Sequence, residues 1–403
     1  MASTLKIDTI TTPDGTGNIT VSRPLSGSGA SLTSLPAANL TGTLPAINGS
    51  SLTGISAQKN LIINGDFNIW QRGTSFAAAA DATYTADRWK YQKSGAMVHT
   101  VSRSTDVPTQ AESGHLSNYS LLATVTTADG SIGAGDYCTL TQRMEGYNSF
   151  PIHDKTITIS FWVKATGTNV TGVYCCTLAS SGHNQNYPTE YTINSANTWE
   201  KKTVTLTIDT SAGTWGATNT YGMAVIFPIV AGSTYQGTNE TWNTTNFGVG
   251  TSGMQTTALG TTSNTFQIAQ VQLEVGSVAT DFEIRNHATE LAMCKRYFER
   301  LNSGGSQDYV FAPGYCDGTT TAEIPILYFE KRAAATLSSS GDFIVAASGG
   351  GATSVTGLSF IIATETSARG QVTVASGLVT GIGTQLADKG GGDQAYIDIS
   401  AEL

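Results

Sequence analysis

The sequence predicts a mainly β protein, and three observations carry that prediction. Charged residues make up 13% of the 403 residues, against about 25% in an average soluble protein. Glycine contributes 44 residues, which is typical of chains with many turns. β-Branched and aromatic residues gather in short segments that alternate apolar and polar side chains, the pattern of half-buried strands. Together these features indicate antiparallel strands joined by glycine-rich turns.

Charge and hydropathy argue against two classes of partner. The formal net charge is −9, and no basic cluster occurs, so a nucleic-acid-binding face is not expected. The longest apolar stretch, 223–231, contains Pro228 and is far shorter than the roughly 20 residues of a membrane helix. No apolar region follows Met1 as in a signal peptide. We therefore expect neither membrane insertion nor conventional secretion, and five cysteines without C-x-x-C spacing are expected to be buried and reduced.

Residues 1–58 differ from the rest of the chain because they contain no aromatic residue. Leu-Pro-Ala begins at positions 35 and 44, and Leu-Thr begins at 32, 40 and 52. Single leucines spaced by small polar residues cannot bury a core within one chain, but several chains winding around one axis can bury them together. The alternative is a flexible linker. The regular leucines and the prolines favour a multi-chain stalk.

Residues 59–284 have the pattern of an antiparallel β-sandwich. In 203–209, Val204, Leu206 and Ile208 occupy one face and threonines the other. The remaining segments with strand character are 121–125, 137–144, 156–164, 172–178, 223–230 and 266–273. Segments of this length separated by Gly, Asn and Ser turns predict two packed sheets.

A short linking helix is expected within 285–304, and a small β domain within 305–403. Leu291, Cys294, Phe298 and Leu301 are spaced as one face of a helix over 286–301, with Asn286 as its N-cap. Beyond it, strand-like segments return at 309–315, 323–329, 343–347, 360–363, 371–374 and 396–401.

The residues of the sandwich are compatible with two kinds of site. Paired carboxylates could hydrolyse glycosidic bonds, and the candidates are Asp66, Asp87, Glu145, Glu190, Glu274 and Asp281. None lies in a catalytic motif, so we expect no enzyme activity. Trp215 and Trp242, however, lie among Gly, Asn and Thr, where packing explains a tryptophan less well than it does for Trp89 and Trp162. Since flat sugar faces stack on such rings, the pattern favours glycan recognition, with a core role as the alternative.

Several segments resemble bacteriophage tail-fibre proteins. The opening Ser3-Thr-Leu-Lys-Ile-Asp-Thr-Ile10, followed by Asp14-Gly-Thr-Gly-Asn-Ile-Thr20, resembles the fibre end that joins the virion, and the leucine repeats resemble trimeric stalks. Asn60-Leu-Ile-Ile-Asn-Gly-Asp-Phe67, Tyr84-Thr-Ala-Asp-Arg-Trp89 and Ala269-Gln-Val-Gln-Leu-Glu274 resemble a jelly-roll domain of phage tail proteins and of carbohydrate-binding modules. The resemblance covers residues 1 to about 300.

The resemblance implies a homotrimeric fibre of the phage tail, synthesised in the bacterial cytoplasm, whose residues 1–30 bind a tail protein. Its expected function is non-enzymatic adhesion to a host surface polysaccharide. The small β domain of residues 305–403 is expected to touch the host first, through Tyr309, Phe311 and Tyr315. Trp215 and Trp242 of the sandwich are expected to form a second sugar site.

Related modules hold a structural calcium, which would place Asp66 and Glu274 around the ion. The adjacent aspartates usual before the last strand are Ala269 and Gln270 here, which speaks against the metal. No other cofactor is expected. Two alternatives stay open: a tailspike-type enzyme that degrades the glycan, and a structural virion decoration protein without a receptor.

Overall fold

A computed structural model describes residues 59–244, 247–303, 309–347, 351–390 and 394–403. The predicted virion-attachment segment and stalk, residues 1–58, lie outside the described residues.

The first part of the described chain consists of two stacked β-sheets. Its strands are β1 (Ser75–Phe76), β2 (Thr83–Tyr84), β3 (Trp89–Ser94), β4 (Val98–Ser104), β5 (Ser120–Thr127), β6 (Tyr137–Glu145), β7 (Thr156–Thr166), β8 (Gly172–Ser180), β9 (Asn186–Ile193), β10 (Glu200–Thr207), β11 (Tyr221–Ala231), β12 (Gln236–Gly237), β13 (Gly250–Thr251) and β14 (Thr265–Val275). The first sheet has the order β1-β4-β5-β14-β7-β10, the second has the order β2-β3-β6-β11-β8-β9, and β12 pairs with β13.

Strand pairing identifies the sandwich as a jelly-roll. Antiparallel pairs nest inside one another: β5 with β14, β6 with β11, β7 with β10, and β8 with β9. Successive pairs belong alternately to the first and second sheet. This is the winding of an eight-stranded double-sheet jelly-roll, so the predicted fold is confirmed.

The core between the two sheets explains the alternation in the sequence. Val204, Leu206 and Ile208 are buried while the threonines between them are exposed, as predicted. Phe161 of the first sheet and Phe227 of the second meet with ring centroids 4.8 Å apart. Burying these apolar side chains between the sheets is the main force that holds the sandwich together.

Helices are short in the described part of the chain: α1 (Gln110–Ser113), α2 (Gly146–Ser149) and α3 (His287–Lys295). None of them could span a membrane. The predicted start of α3 is confirmed, because Asn286 Oδ1 accepts a hydrogen bond from the Ala288 backbone N–H at 2.9 Å. The predicted end at residue 301 is wrong. The helix ends at Lys295, and Phe298–Asn302 forms β15, because pairing with a strand near the C-terminus there satisfies the backbone and buries Phe298.

The strands predicted beyond α3 form a closed barrel and part of a small sheet. The remaining strands are β16 (Val310–Cys316), β17 (Thr321–Leu327), β18 (Thr336–Ser340), β19 (Phe343–Ala347), β20 (Ala352–Ile361), β21 (Ser367–Val374), β22 (Gly383–Asp388) and β23 (Tyr396–Ser400). The barrel order is β16-β17-β21-β20-β19-β22, and β15-β23-β18 form a three-stranded sheet.

The last residues of the chain return to the jelly-roll. Glu402 forms ion pairs with Arg88 and, at 3.1 Å, with Arg72. The Leu403 backbone oxygen accepts hydrogen bonds from Arg143 Nη1 at 2.9 Å and from the Tyr84 hydroxyl at 2.5 Å. The C-terminal residues are therefore attached to the jelly-roll by ion pairs and hydrogen bonds.

Candidate functional site

The structure brings Trp215 and Trp242 together. Their ring centroids lie 5.9 Å apart with an angle of 70° between the ring planes. Trp215 belongs to the link between β10 and β11, and Trp242 follows β12. Both side chains are half-buried and pack against the edge of the jelly-roll core. Neither tryptophan is fully buried as a core residue, so part of each side chain remains accessible to solvent.

Hydrogen bonds fix the edge of each indole. Trp215 Nε1 donates to Gln185 Oε1 at 3.0 Å and to the Ala212 backbone oxygen at 2.9 Å. Trp242 Nε1 donates to the Thr207 backbone oxygen at 3.0 Å. Because the polar atom of each ring is bonded within the protein, what remains for a ligand is the aromatic ring itself.

Three further rings extend the pair into a continuous row. His153 lies 5.4 Å from Trp215, Phe150 lies 5.2 Å from His153, and Tyr187 lies 5.2 Å from Trp242. We call these five residues the aromatic surface. Phe150 is 56% exposed, whereas His153 and Tyr187 are half-buried.

Sequence reasoning missed Phe150, His153 and Tyr187. The first two lie at a 3₁₀ turn, 150–152, after α2, and Tyr187 lies in β9. An aromatic residue followed by proline in a turn was the available signal for Phe150. Nothing in the local sequence shows that this turn packs beside Trp215, because that contact depends on how distant segments are brought together.

Carboxylates border the aromatic surface. Asp154 follows His153, and the Glu240 backbone N–H bonds to the Pro188 oxygen, beside Tyr187. Asp209 lies two residues beyond the oxygen that anchors Trp242, and its hydrogen bonds with Ser211 lower its pKa. Burial lowers the pKa of His153, so this imidazole is neutral at pH 7. Exposed Lys155, whose backbone oxygen accepts from the Ile208 N–H, adds one positive charge, so the border carries three carboxylates against one ammonium group.

The outer face of the second sheet is covered at β8. Tyr174 stacks on Phe266 of the first sheet, with centroids 5.5 Å apart, so Cys175 and Thr177 point away from the core between the sheets. There, Thr177 Oγ1 donates to the Val249 backbone oxygen at 2.5 Å, and Cys175 Sγ lies 3.6 Å from Thr251 Oγ1. Chain around 249–251 thus occupies this part of the outer face.

Tyr309, Phe311 and Tyr315 lie in β16 or directly before it. Tyr309 and Phe311 meet at 5.2 Å, and Phe311 packs at 5.3 Å against Phe343. Tyr315 is exposed and lines a separate groove of about 670 Å³. Leu327 and Ile362, both highly exposed, line the same groove.

Asp66 and Glu274 are bound to different partners. Asp66 accepts hydrogen bonds from Asn68 Nδ2 at 3.0 Å and from Ser117, and forms a 3.1 Å pair with His115. Glu274 accepts from Gln272 Nε2 and from the backbone and hydroxyl of Thr280, at 2.7–2.9 Å. Within the described ranges, no group of three or more His, Cys, Asp or Glu side chains could hold a metal ion.

Of the remaining candidate catalytic carboxylates, Asp87, Glu145 and Glu190 each accept hydrogen bonds from a different residue. Buried Asp87 accepts from the Gln71 backbone N–H at 2.9 Å, and its pKa is raised by burial. Glu145 binds Arg296, and Glu190 accepts from the hydroxyl of Thr251. Asp281 lies on the exposed link after β14.

No protein-family model and no curated protein matches this chain. Among solved structures, similarity was found to a putative sugar binding protein from Bacteroides thetaiotaomicron, with 11% identity, 54% of this chain covered, 100% of that chain covered and a TM-score of 0.33. The module TmCBM61 in complex with β-1,4-galactotriose gives 11% identity, 54% and 100% coverage, and a TM-score of 0.28.

The enzymatically active domain of tailspike protein 4 from bacteriophage CBA120 gives 13% identity and a TM-score of 0.27 over 50% of this chain. The match spans only 21% of that tailspike chain. Because these TM-scores are low, the matches do not indicate the function of this chain. The proposed function is inferred from the positions of this chain's own residues.

Proposed function

We propose that this protein is a phage tail-fibre protein that attaches the virion, as a homotrimer, to a glycan on the bacterial surface without cleaving it. The observation that carries the proposal is the aromatic surface, a continuous row of five rings with both tryptophans at its centre. A pyranose ring presents a flat patch of C–H groups, which an indole face buries from water. Rings held at fixed angles can therefore contact successive sugar units at little cost in side-chain entropy.

The charges at the border favour a neutral glycan. Asp154, Asp209 and Glu240 would repel the carboxylates or phosphates of an acidic polysaccharide. Side-chain amides and hydroxyls beside the tryptophans can form hydrogen bonds with sugar hydroxyls instead. Asn184 and Thr214 are such groups, and Asn184 Nδ2 donates to Thr214 Oγ1 at 3.3 Å. Low charge in the chain as a whole agrees with a ligand recognised by stacking and hydrogen bonds.

Trimerisation would convert weak contacts into firm attachment. Linked binding sites raise avidity about 10²–10⁴-fold over a single site when the geometry allows simultaneous engagement. The leucine repeat between positions 32 and 54 supports the oligomer, since those leucines need partners from other chains. The tail-fibre assignment is supported by the opening residues 3–20 and stays a proposal, as does location in the virion.

An array of bacterial surface polysaccharides, probed with the full chain, tests this function. We expect binding to a subset of neutral polysaccharides and none to polymers rich in uronic acid or phosphate. Absence of binding to every polysaccharide would contradict adhesion and leave the decoration protein as the better account. Release of reducing ends from a bound polysaccharide would instead favour the tailspike-type enzyme.

Matched variants locate the site. Trp215→Ala with Trp242→Ala removes the centre of the aromatic surface, and Tyr309→Ala with Tyr315→Ala removes exposed rings of the barrel. Loss of array binding with the first pair alone supports the jelly-roll site. Loss with the second pair alone would move the glycan site to the barrel.

A further inference from the structure

The point at which the chain enters the jelly-roll is held firmly. Glu283 accepts hydrogen bonds from the backbone N–H groups of Lys59 and Asn60, at 3.2 and 2.8 Å. Asn60 Nδ2 donates to the Val271 backbone oxygen at 3.0 Å. Lys59 and Asn60, the first described residues, are therefore held at a fixed place on the domain.

Two large apolar side chains are exposed at that place, beside the half-buried Phe282. Leu116 is 70% exposed and Ile284 is 73% exposed. Together with Phe282 and Asn60 they line a single hollow of about 220 Å³. We call Leu116, Phe282 and Ile284 the end surface. A group of exposed apolar side chains gathered in one place indicates an interaction site, whereas scattered single residues do not.

The charge of Arg285, beside Ile284, is paired within the chain. Arg285 lies 3.3 Å from Glu283 and 3.2 Å from Glu290. Asp66 lies 3.1 Å from His115, and Lys59 Nζ donates to the backbone oxygen of exposed Asp281. Close to a threefold axis, the same residue of each copy approaches its equivalents, so an unpaired charge there would meet its own like. Paired charges and exposed apolar groups suit such a contact, whereas the acidic border of the aromatic surface does not.

We propose that the end surface packs against the end surfaces of neighbouring copies of this chain, an inference that rests on the proposed homotrimer. The last leucine of the repeat, Leu52, precedes Lys59 by seven residues, which span at most about 25 Å at roughly 3.5 Å per residue. Chains joined through the repeat must therefore bring their Lys59 residues, and the end surfaces beside them, close to a common axis.

Cysteine cross-linking of the full chain tests the contact. The five natural cysteines are buried and free, and burial raises the pKa of the Cys138 and Cys175 thiols to about 12. They will not compete for a reagent, so Ile284→Cys introduces the reactive thiol. With a short bismaleimide, we expect a covalent dimer as the main product on a denaturing gel. The matched control is Leu327→Cys on the barrel, which replaces an equally exposed residue (73%) and should stay monomeric.

Three outcomes would overturn the proposal. Dimer from neither variant, or equally from both, would show that the end surface makes no specific contact between copies. A thiol at position 284 that is protected from labelling but not cross-linked would show that another segment of the same chain covers it. A monomeric mass for the unmodified protein by light scattering would refute the contact together with the homotrimer. The polysaccharide array reports on glycan binding independently, because neither variant changes the aromatic surface.

Discussion

Glu145 should be among the most sensitive positions for stability, because it ties the jelly-roll to the segment after α3. Its carboxylate is 1% exposed and accepts from Arg296 Nε at 2.9 Å, Arg296 Nη2 at 2.7 Å and the Tyr297 hydroxyl at 2.8 Å. Removing one partner of a buried ion pair costs about 3–5 kcal/mol. Since Arg296 is 33% exposed and can partly rehydrate, we expect Glu145→Ala to cost about 3 kcal/mol, the lower end of that range.

Urea unfolding followed by tryptophan fluorescence measures this loss. Glu145→Gln keeps an acceptor for the Tyr297 hydroxyl and should cost less than Glu145→Ala. Glu365→Gln changes an exposed carboxylate and should stay within about 0.5 kcal/mol of the unmodified protein. A loss below about 1 kcal/mol for Glu145→Ala, the range of exposed ion pairs, would refute the inference that this contact joins the two parts of the chain.

Three further predictions concern pH, thiols and ligand charge. Burial lowers the pKa of His99 from 6.5 to about 4, so between those pH values the unfolded chain takes up a proton that the folded chain does not. The free energy of unfolding should therefore fall by up to about 3 kcal/mol as the pH drops through this window. In urea titrations, His99→Gln should flatten this dependence on pH. Cys138 and Cys175 should not react with a thiol reagent at pH 8 until denaturant is added, whereas fast reaction of the native protein would contradict their burial. Asp209→Asn with Glu240→Gln should increase retention on a uronate-containing polysaccharide, and unchanged retention would show that the acidic border does not select the ligand.

Local sequence patterns predicted the parts of the fold that local chemistry determines. Threonines alternating with Val204, Leu206 and Ile208 could only serve a strand with one buried face. Asn286 marked the start of α3 because its side chain caps the helix. The end of α3 could not be predicted, since Phe298 fits a helical spacing and becomes a strand residue only when β23 pairs with it.

The candidate site was predictable only as separate residues. Trp215 and Trp242 stood out because each lies in a polar loop. Their contact, and the rings of Phe150 and Tyr187 beside them, depend on turns and strands that meet only in the folded jelly-roll. The closed barrel was likewise out of reach, because closure requires β16 to pair with β22, at the opposite end of the barrel sequence.

Isothermal titration of the full chain with a polysaccharide selected from the array tests the central claim most directly. Tryptophans at the centre of a binding site typically contribute about 2 kcal/mol or more each. The variant carrying Trp215→Ala and Trp242→Ala should therefore lose at least about 4 kcal/mol, a fall in affinity of about 700-fold, since each 1.4 kcal/mol is a factor of ten. The variant carrying Tyr309→Ala and Tyr315→Ala should bind as the unmodified protein does. Unchanged affinity after loss of both tryptophans would contradict the assignment of the aromatic surface as the glycan-binding site.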